Sequence, residues 1–249
     1  PAAEKIALLE PHASNFRRDD LFVELAKAYN QNFQPEKALQ LLLSHVFVAC
    51  EGGEHAIADQ YMYAWFQLGM AKKAAGDWAG CYELLEKALT LPKSLGSGIW
   101  NRCKYVPYQF HMAECLEHMG KKEDAQSIYR MILDIEVEFF SNMHLRELPY
   151  YQALCAEALG LQQKAWNIMA RAKRDWSFNL DRKGNGFFST TPFFISFAQG
   201  PAIARRAYYQ YLLGLVKLYE GDRERAKALF QESYAGNSDS LFCHYYAHL

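Results

Sequence analysis

Residues 103–118 hold the densest set of groups that could do chemistry. His111, Cys115 and His118 recur at i, i+4 and i+7 on one helical face, with Cys103 upstream. Imidazole and thiolate are zinc donors, but a closed zinc site also needs a second tight ligand pair, which is lacking here. Ordinary core and surface residues are therefore expected, with no metal. Glu114 and Glu117 share a helix face, and Glu157 is a third carboxylate. Paired carboxylates perform acid–base work in glycoside hydrolysis. No nucleophile–base set accompanies these, so tuning of partner choice is the expected role rather than catalysis. The run Asp181 to Gly186 (DRKGNG) lacks the acid spacing and terminal glutamate of a calcium loop and reads as an exposed turn. His244 and His248 are also four apart, with no third donor. No residue is assigned a catalytic, metal or cofactor role.

The elements that carry these groups follow from length and pattern. The chain has 249 residues, 51% of them hydrophobic and 15% aromatic. That excludes disorder and allows either one large core or a string of small units. A formal net charge of −1 argues against a globally basic nucleic-acid binder. No apolar run approaches the roughly 18 residues that would span a bilayer. The N-terminus, PAAEKIALLEP, has neither Met nor a signal-peptide pattern, so a fragment of a longer protein is expected. The six cysteines, Cys50, Cys81, Cys103, Cys115, Cys155 and Cys243, are scattered. They read as free thiols, four of them (Cys50, Cys81, Cys115 and Cys155) within apolar helical patterns. A cytoplasmic location is expected.

An internal repeat organises the rest. Four segments run helix, Gly, polar turn, helix: LGMAKKAAGDWAGC, MAECLEHMGKKEDA, QALCAEALGLQQKA and LGLVKLYEGDRERA. Their turn glycines are Gly76, Gly120, Gly160 and Gly221. Five residues after each stands a small residue: Cys81, Ala125, Ala165 or Ala226. A fifth unit, LAKAYNQNFQPEKA, has Phe33 in place of the glycine and Ala38 at the small position. A left-handed glycine cap reverses the chain, and the small residue lets the second helix approach the first.

This pattern resembles the tetratricopeptide repeat (TPR). The second unit carries it best, with Trp65, Leu68, Gly69, Gly76, Ala88 and nearby Pro92. The turns at 33, 76, 120, 160 and 221 are spaced more widely than the roughly 34 residues of a regular array. The resemblance implies an all-α, right-handed α-α superhelix of irregularly spaced hairpins forming one solenoid. The hairpins are expected at 19–52, 56–92, 106–140, 146–176 and 203–235, with a Phe-rich insertion at 177–202 and a terminal helix at 239–249. Phe187, Phe188, Phe193, Phe194 and Phe197 of the insertion are expected to fold back onto the solenoid.

A narrower resemblance rests on LPKSLGSGIWNRCKYVPYQFHMAECLEHMG and FFISFAQGPAIARRAYYQYLLGLVKLYEGDRERA. Both are similar to the C-terminal TPR region of a poorly characterised bacterial family with an N-terminal galactose-mutarotase-like β-domain. That likeness implies the helical half of a carbohydrate-associated protein, with catalytic groups outside this chain.

TPR phasing implies a concave groove lined by the first helix of each hairpin. Its lining would include Tyr63, Phe66, Met70, Lys73, Phe110, Glu114, Glu117, Tyr150, Glu157, Tyr208 and Tyr211. Such an aromatic and acidic groove suits a protein or peptide partner, the missing N-terminal domain, or a carbohydrate. A basic clamp for a peptide carboxylate is missing: Lys27 and Lys73 alone do not make it. The expected function is a non-catalytic scaffold for protein–protein or interdomain contacts. The alternative is an accessory region that shapes the sugar cleft of a carbohydrate-active enzyme. Open solenoid ends would also allow a homodimer.

Overall fold

The computed structural model describes residues 2–48, 54–96, 98, 102–136, 147–180 and 201–248. Cys50, the side chain of Cys103, the Asp181–Gly186 turn and the five insertion phenylalanines lie outside the described residues. Within them the chain is all-α, with twelve α-helices and no strand. The chain divides into two compact units, Pro1–Ile128 and Tyr129–Leu249, and the division falls inside one helix.

One backbone device ends every first helix. Phe33, Gly76, Gly120, Gly160 and Gly221 all take positive φ, between 54° and 80°. The residue after each donates its N–H back across the turn to the carbonyl five positions earlier. These bonds are Gln34 to Tyr29, Asp77 to Lys72, Lys121 to Leu116, Leu161 to Ala156 and Asp222 to Lys217, at 2.8–2.9 Å. This is the closure of a left-handed helix cap, and it satisfies carbonyls that the helix end would leave unpaired. Asp77 and Asp222 then cap the next helix, accepting from the N–H groups of Gly80 and Arg225 at 2.9 and 3.2 Å.

In the first unit, α1 (Ala2–Leu9) is followed by α2 (Asp19–Gln31) and α3 (Pro35–Leu43), then α4 (Glu54–Ala74) and α5 (Trp78–Ala88). Next come α6 (Val106–His118) and the start of α7 (Lys122–Leu133). Helix α2 packs on α3, α3 on α4, α4 on α5 and α5 on α6. The small positions Ala38 and Cys81 are fully buried at these crossings, and Leu85 and Ala88 continue the buried stripe of α5. The Lys93–Leu95 turn buries Leu95, and its Ser94 carbonyl accepts from the Phe47 N–H at 2.8 Å.

The second unit contains α8 (Leu148–Ala158), α9 (Gln162–Leu180), α10 (Pro201–Tyr219), α11 (Arg223–Gly236) and α12 (Leu241–Ala247). Helix α8 pairs with α9 and α10 with α11, while α12 covers α11. Helices α10 and α11 approach closely at Gly214. A Cβ built there would lie 2.5 Å from the Phe230 ring. That ring is itself held between Tyr211 and Tyr246. Ser233, a less apolar residue in the buried stripe of α11, donates to the Ala207 carbonyl at 2.6 Å and so ties α11 to α10.

Two predictions test these devices. Gly214→Ala forces a methyl against a ring that cannot move away, and should cost about 1–3 kcal/mol in urea unfolding. No atom lies within 4 Å of a Cβ at Gly120, so the cost of Gly120→Ala is purely conformational, about 1–2 kcal/mol. Phe33 already bears that strain at φ 54°. Phe33→Gly should therefore raise stability, by a smaller amount because glycine gains unfolded-state freedom. Parallel denaturation curves of the two variants check the opposite signs.

Candidate functional site

The sequence assigns the site to first-helix faces, and the structure sorts its residues by exposure. Tyr63, Phe66, Met70, Phe110, Tyr150 and Tyr211 are buried. This corrects the picture of an aromatic lining open to a ligand: six of the expected contacts are core. Phe66 packs against Tyr63, Tyr108 and His111, with ring centroids 5.5–6.2 Å apart. Tyr211 packs against Phe230 and Tyr246. Large rings on a helix shared with two neighbours release more free energy by burial than by facing water. Lys73, Glu114 and Tyr208 are half-buried, while Glu117 and Glu157 are exposed.

In the first unit, α4 and α6 bring Lys73, His111 and Glu114 together. Lys73 Nζ lies 2.5 Å from Glu114 Oε2 and 3.1 Å from His111 Nδ1. His111 Nδ1 also bonds the same Glu114 oxygen. Burial alone would raise the Glu114 carboxyl, but the hydrogen bonds and charges of His111 and Lys73 override it and hold it at about 2. Burial pushes His111 the other way, below its ordinary value, although Glu114 opposes this. A neutral imidazole then donates from Nδ1 to the carboxylate. Its Nε2 is buried with no hydrogen-bond partner among the described residues. Lys73 is thus already paired with Glu114 within the chain.

The zinc candidates engage three different partners. His111 faces Glu114 and Lys73. Cys115 is fully buried beside Cys81. His118 stacks on Trp78 with centroids 3.7 Å apart and planes 2° from parallel. Among the described residues no group of three or more His, Cys, Asp or Glu is placed to hold a metal ion. Cys155 and Cys243 are buried too.

Two further polar clusters escaped sequence reasoning. Asn30, fully buried, donates to the Gln60 carbonyl and side chain at 3.0 and 2.9 Å and accepts from Gln67 at 3.3 Å. In the second unit, Glu147 is buried at the start of α8 and accepts from Tyr208 at 3.1 Å and Tyr211 at 3.5 Å. Glu157 accepts from Tyr219 at 2.6 Å. A surface hollow of about 370 Å³ lies among α5, α6 and α7, and none of the expected groove residues lines it.

The Lys73–His111–Glu114 cluster predicts acid sensitivity. Glu114 is depressed, so its stabilisation is present above the ordinary value of 4.5 and is lost as pH falls toward 2. His111 has the same sign, because below 6.5 the unfolded imidazole takes up a proton that the buried one resists. Thermal unfolding should show lower stability at pH 3 than at pH 7. Glu114→Gln should cost about 1–2 kcal/mol at pH 7 and flatten that dependence.

Comparison with known proteins meets this geometry at the α6–α7 hairpin. Solved structures that resemble the chain include two of the nearly identical TPR-like repeats attributed to a Podosopora anserina kinesin light chain. The first is 17% identical with a TM-score of 0.35, covering 87% of this chain and 93% of that one. The second, a glutamine-to-methionine variant, is 18% identical with a TM-score of 0.36, covering 91% and 96%. The family model for the tetratricopeptide repeat matches residues 108–135, which include the left-handed turn at Gly120 and the buried Ala125.

Proposed function

We propose that this chain is a non-catalytic scaffold that binds a protein partner through the exposed polar parts of its first helices. The observation that carries this reading is the repeat itself. Tetratricopeptide repeats generally mediate protein–protein contacts, and the matched hairpin is one of five helix pairs built on the same turn. Each such pair leaves a strip of its first helix uncovered.

The chemistry of those strips narrows the partner. Glu117 on α6 and Glu157 on α8 remain exposed, and Tyr208 on α10 is half-buried. Within each unit taken by itself, these oxygens stand on helices whose buried rings form a rigid base. Carboxylates in such a setting select basic or hydrogen-bond-donating partner groups and raise association rates. A cytoplasmic partner, or a domain joined to this one, fits the same surface.

Photo-crosslinking in cells tests this reading. A photoreactive residue at Glu117 or Glu157 should capture protein adducts. The same residue at Glu83 on α5 or Arg171 on α9, both exposed on second helices, should capture few. Equal yields at the four positions would remove the first helices as the contact surface. With a captured partner in hand, Glu157→Lys should weaken binding about tenfold, mostly through association rate.

A further inference from the structure

Among the described residues Glu147 is the one buried carboxylate of the second unit, and its surroundings are phenolic. It sits at the residue preceding α8, only 8% exposed. Tyr208 and Tyr211, one turn apart on α10, donate to its two oxygens at 3.1 and 3.5 Å. Tyr211 is in turn held by Phe230 of α11 and Tyr246 of α12, and Tyr246 meets Tyr151 of α8 at 3.5 Å between hydroxyls. A single carboxyl therefore joins the start of α8 to α10 at the centre of a tyrosine cluster.

We propose that Glu147 is an acid-tightened latch: as a neutral carboxylic acid it ties the start of α8 to α10, and as a carboxylate it loosens that contact. The physical reason is desolvation. A buried carboxylate needs a cation or several strong donors, and two phenols supply less than water does. Among the described residues no Lys, Arg or His forms an ion pair with it. The titratable groups that face it are Tyr208 and Tyr211 on α10, Tyr151 on α8 and Cys243 on α12. Burial drives Tyr151 and Tyr211 well above their ordinary values and Cys243 to about 11. Glu147 itself is raised, first by burial, with the tyrosine hydrogen bonds opposing.

The sign follows from linkage. A carboxyl raised on folding stabilises fully below its unfolded value, 4.5 here, and loses that contribution as pH rises through the folded value. Within that window the opening constant of the latch grows by up to about tenfold per pH unit. The Lys73–His111–Glu114 cluster of the first unit has the opposite sign, so each unit serves as the internal reference for the other.

Hydrogen exchange of the full chain between pH 4 and pH 8, corrected for intrinsic rates, tests the latch. Peptides from α8 and α10 should lose protection as pH rises, and Glu147→Gln, which stays neutral and keeps an acceptor, should abolish the change. Peptides from α4 and α6 should not lose protection over the same range. Wild type and Glu147→Gln with parallel profiles would overturn the proposal. Carbon-13 titration of the Glu147 carboxyl in the wild-type chain decides the matter even where the variant does not fold. A midpoint above the ordinary glutamate value supports the latch, and one at or below it refutes it.

Discussion

The left-handed turn is the constraint on which everything else in this fold depends. A helix can stop in many ways, but a positive φ followed by the N–H bond back across five residues fixes the direction in which the chain leaves. Given that direction, the second helix returns along the first, and the residue five positions on faces the neighbouring helix at short range. That is why the position holds Ala or Cys in all five hairpins, and why these residues are buried to within 1% of completeness. The aromatic residues then fill what the small ones leave open. Gly214 shows the principle within a helix: removal of one Cβ lets the Phe230 ring occupy the space between α10 and α11.

Phe33 shows that geometry outranks residue type. A phenylalanine at φ 54° carries a conformational cost that glycine avoids, yet the Gln34 to Tyr29 bond closes the turn just as at the four glycines. The packing on both sides over-determines the backbone. Its burial of Leu25, Ala26, Tyr29, Ala38, Leu39 and Leu42 offsets a local penalty of one or two kcal/mol.

The turns and small positions were legible in the sequence because they obey local rules. Glycine is the cheapest left-handed residue, and Ala or Cys at a fixed offset is a statement about one helix pair. The site was less legible. Repeat phasing says which face of a helix Tyr63 or Phe66 occupies, but not which neighbouring helix covers that face. Burial depends on partners as far away in sequence as Tyr108 and His111, and no spacing rule within α4 encodes them. His111 stood out for its donor chemistry, yet its partner is Glu114 of its own helix, a carboxylate that Lys73 of another helix also holds. Glu147 gave no chemical signal in the sequence. Its character comes from Tyr208 and Tyr211, more than sixty residues later.

Buried polar groups therefore do different work in the two units, although the helical scaffold is the same. In the first, Glu114 keeps its charge because a lysine and an imidazole converge on it, and the cluster links α4 to α6 through ionic bonds. In the second, Glu147 meets phenols that donate but carry no charge, and they do not offset the burial that favours its neutral form. Both carboxylates sit on first helices or at their starts, where the repeat leaves the strip least covered by its own second helix. A polar side chain there can reach water or a neighbouring helix, and the choice is set by which groups the adjacent hairpin supplies. Glu117 and Glu157 are the exposed carboxylates of this series, and Glu157 accepts from Tyr219 of α10 at 2.6 Å.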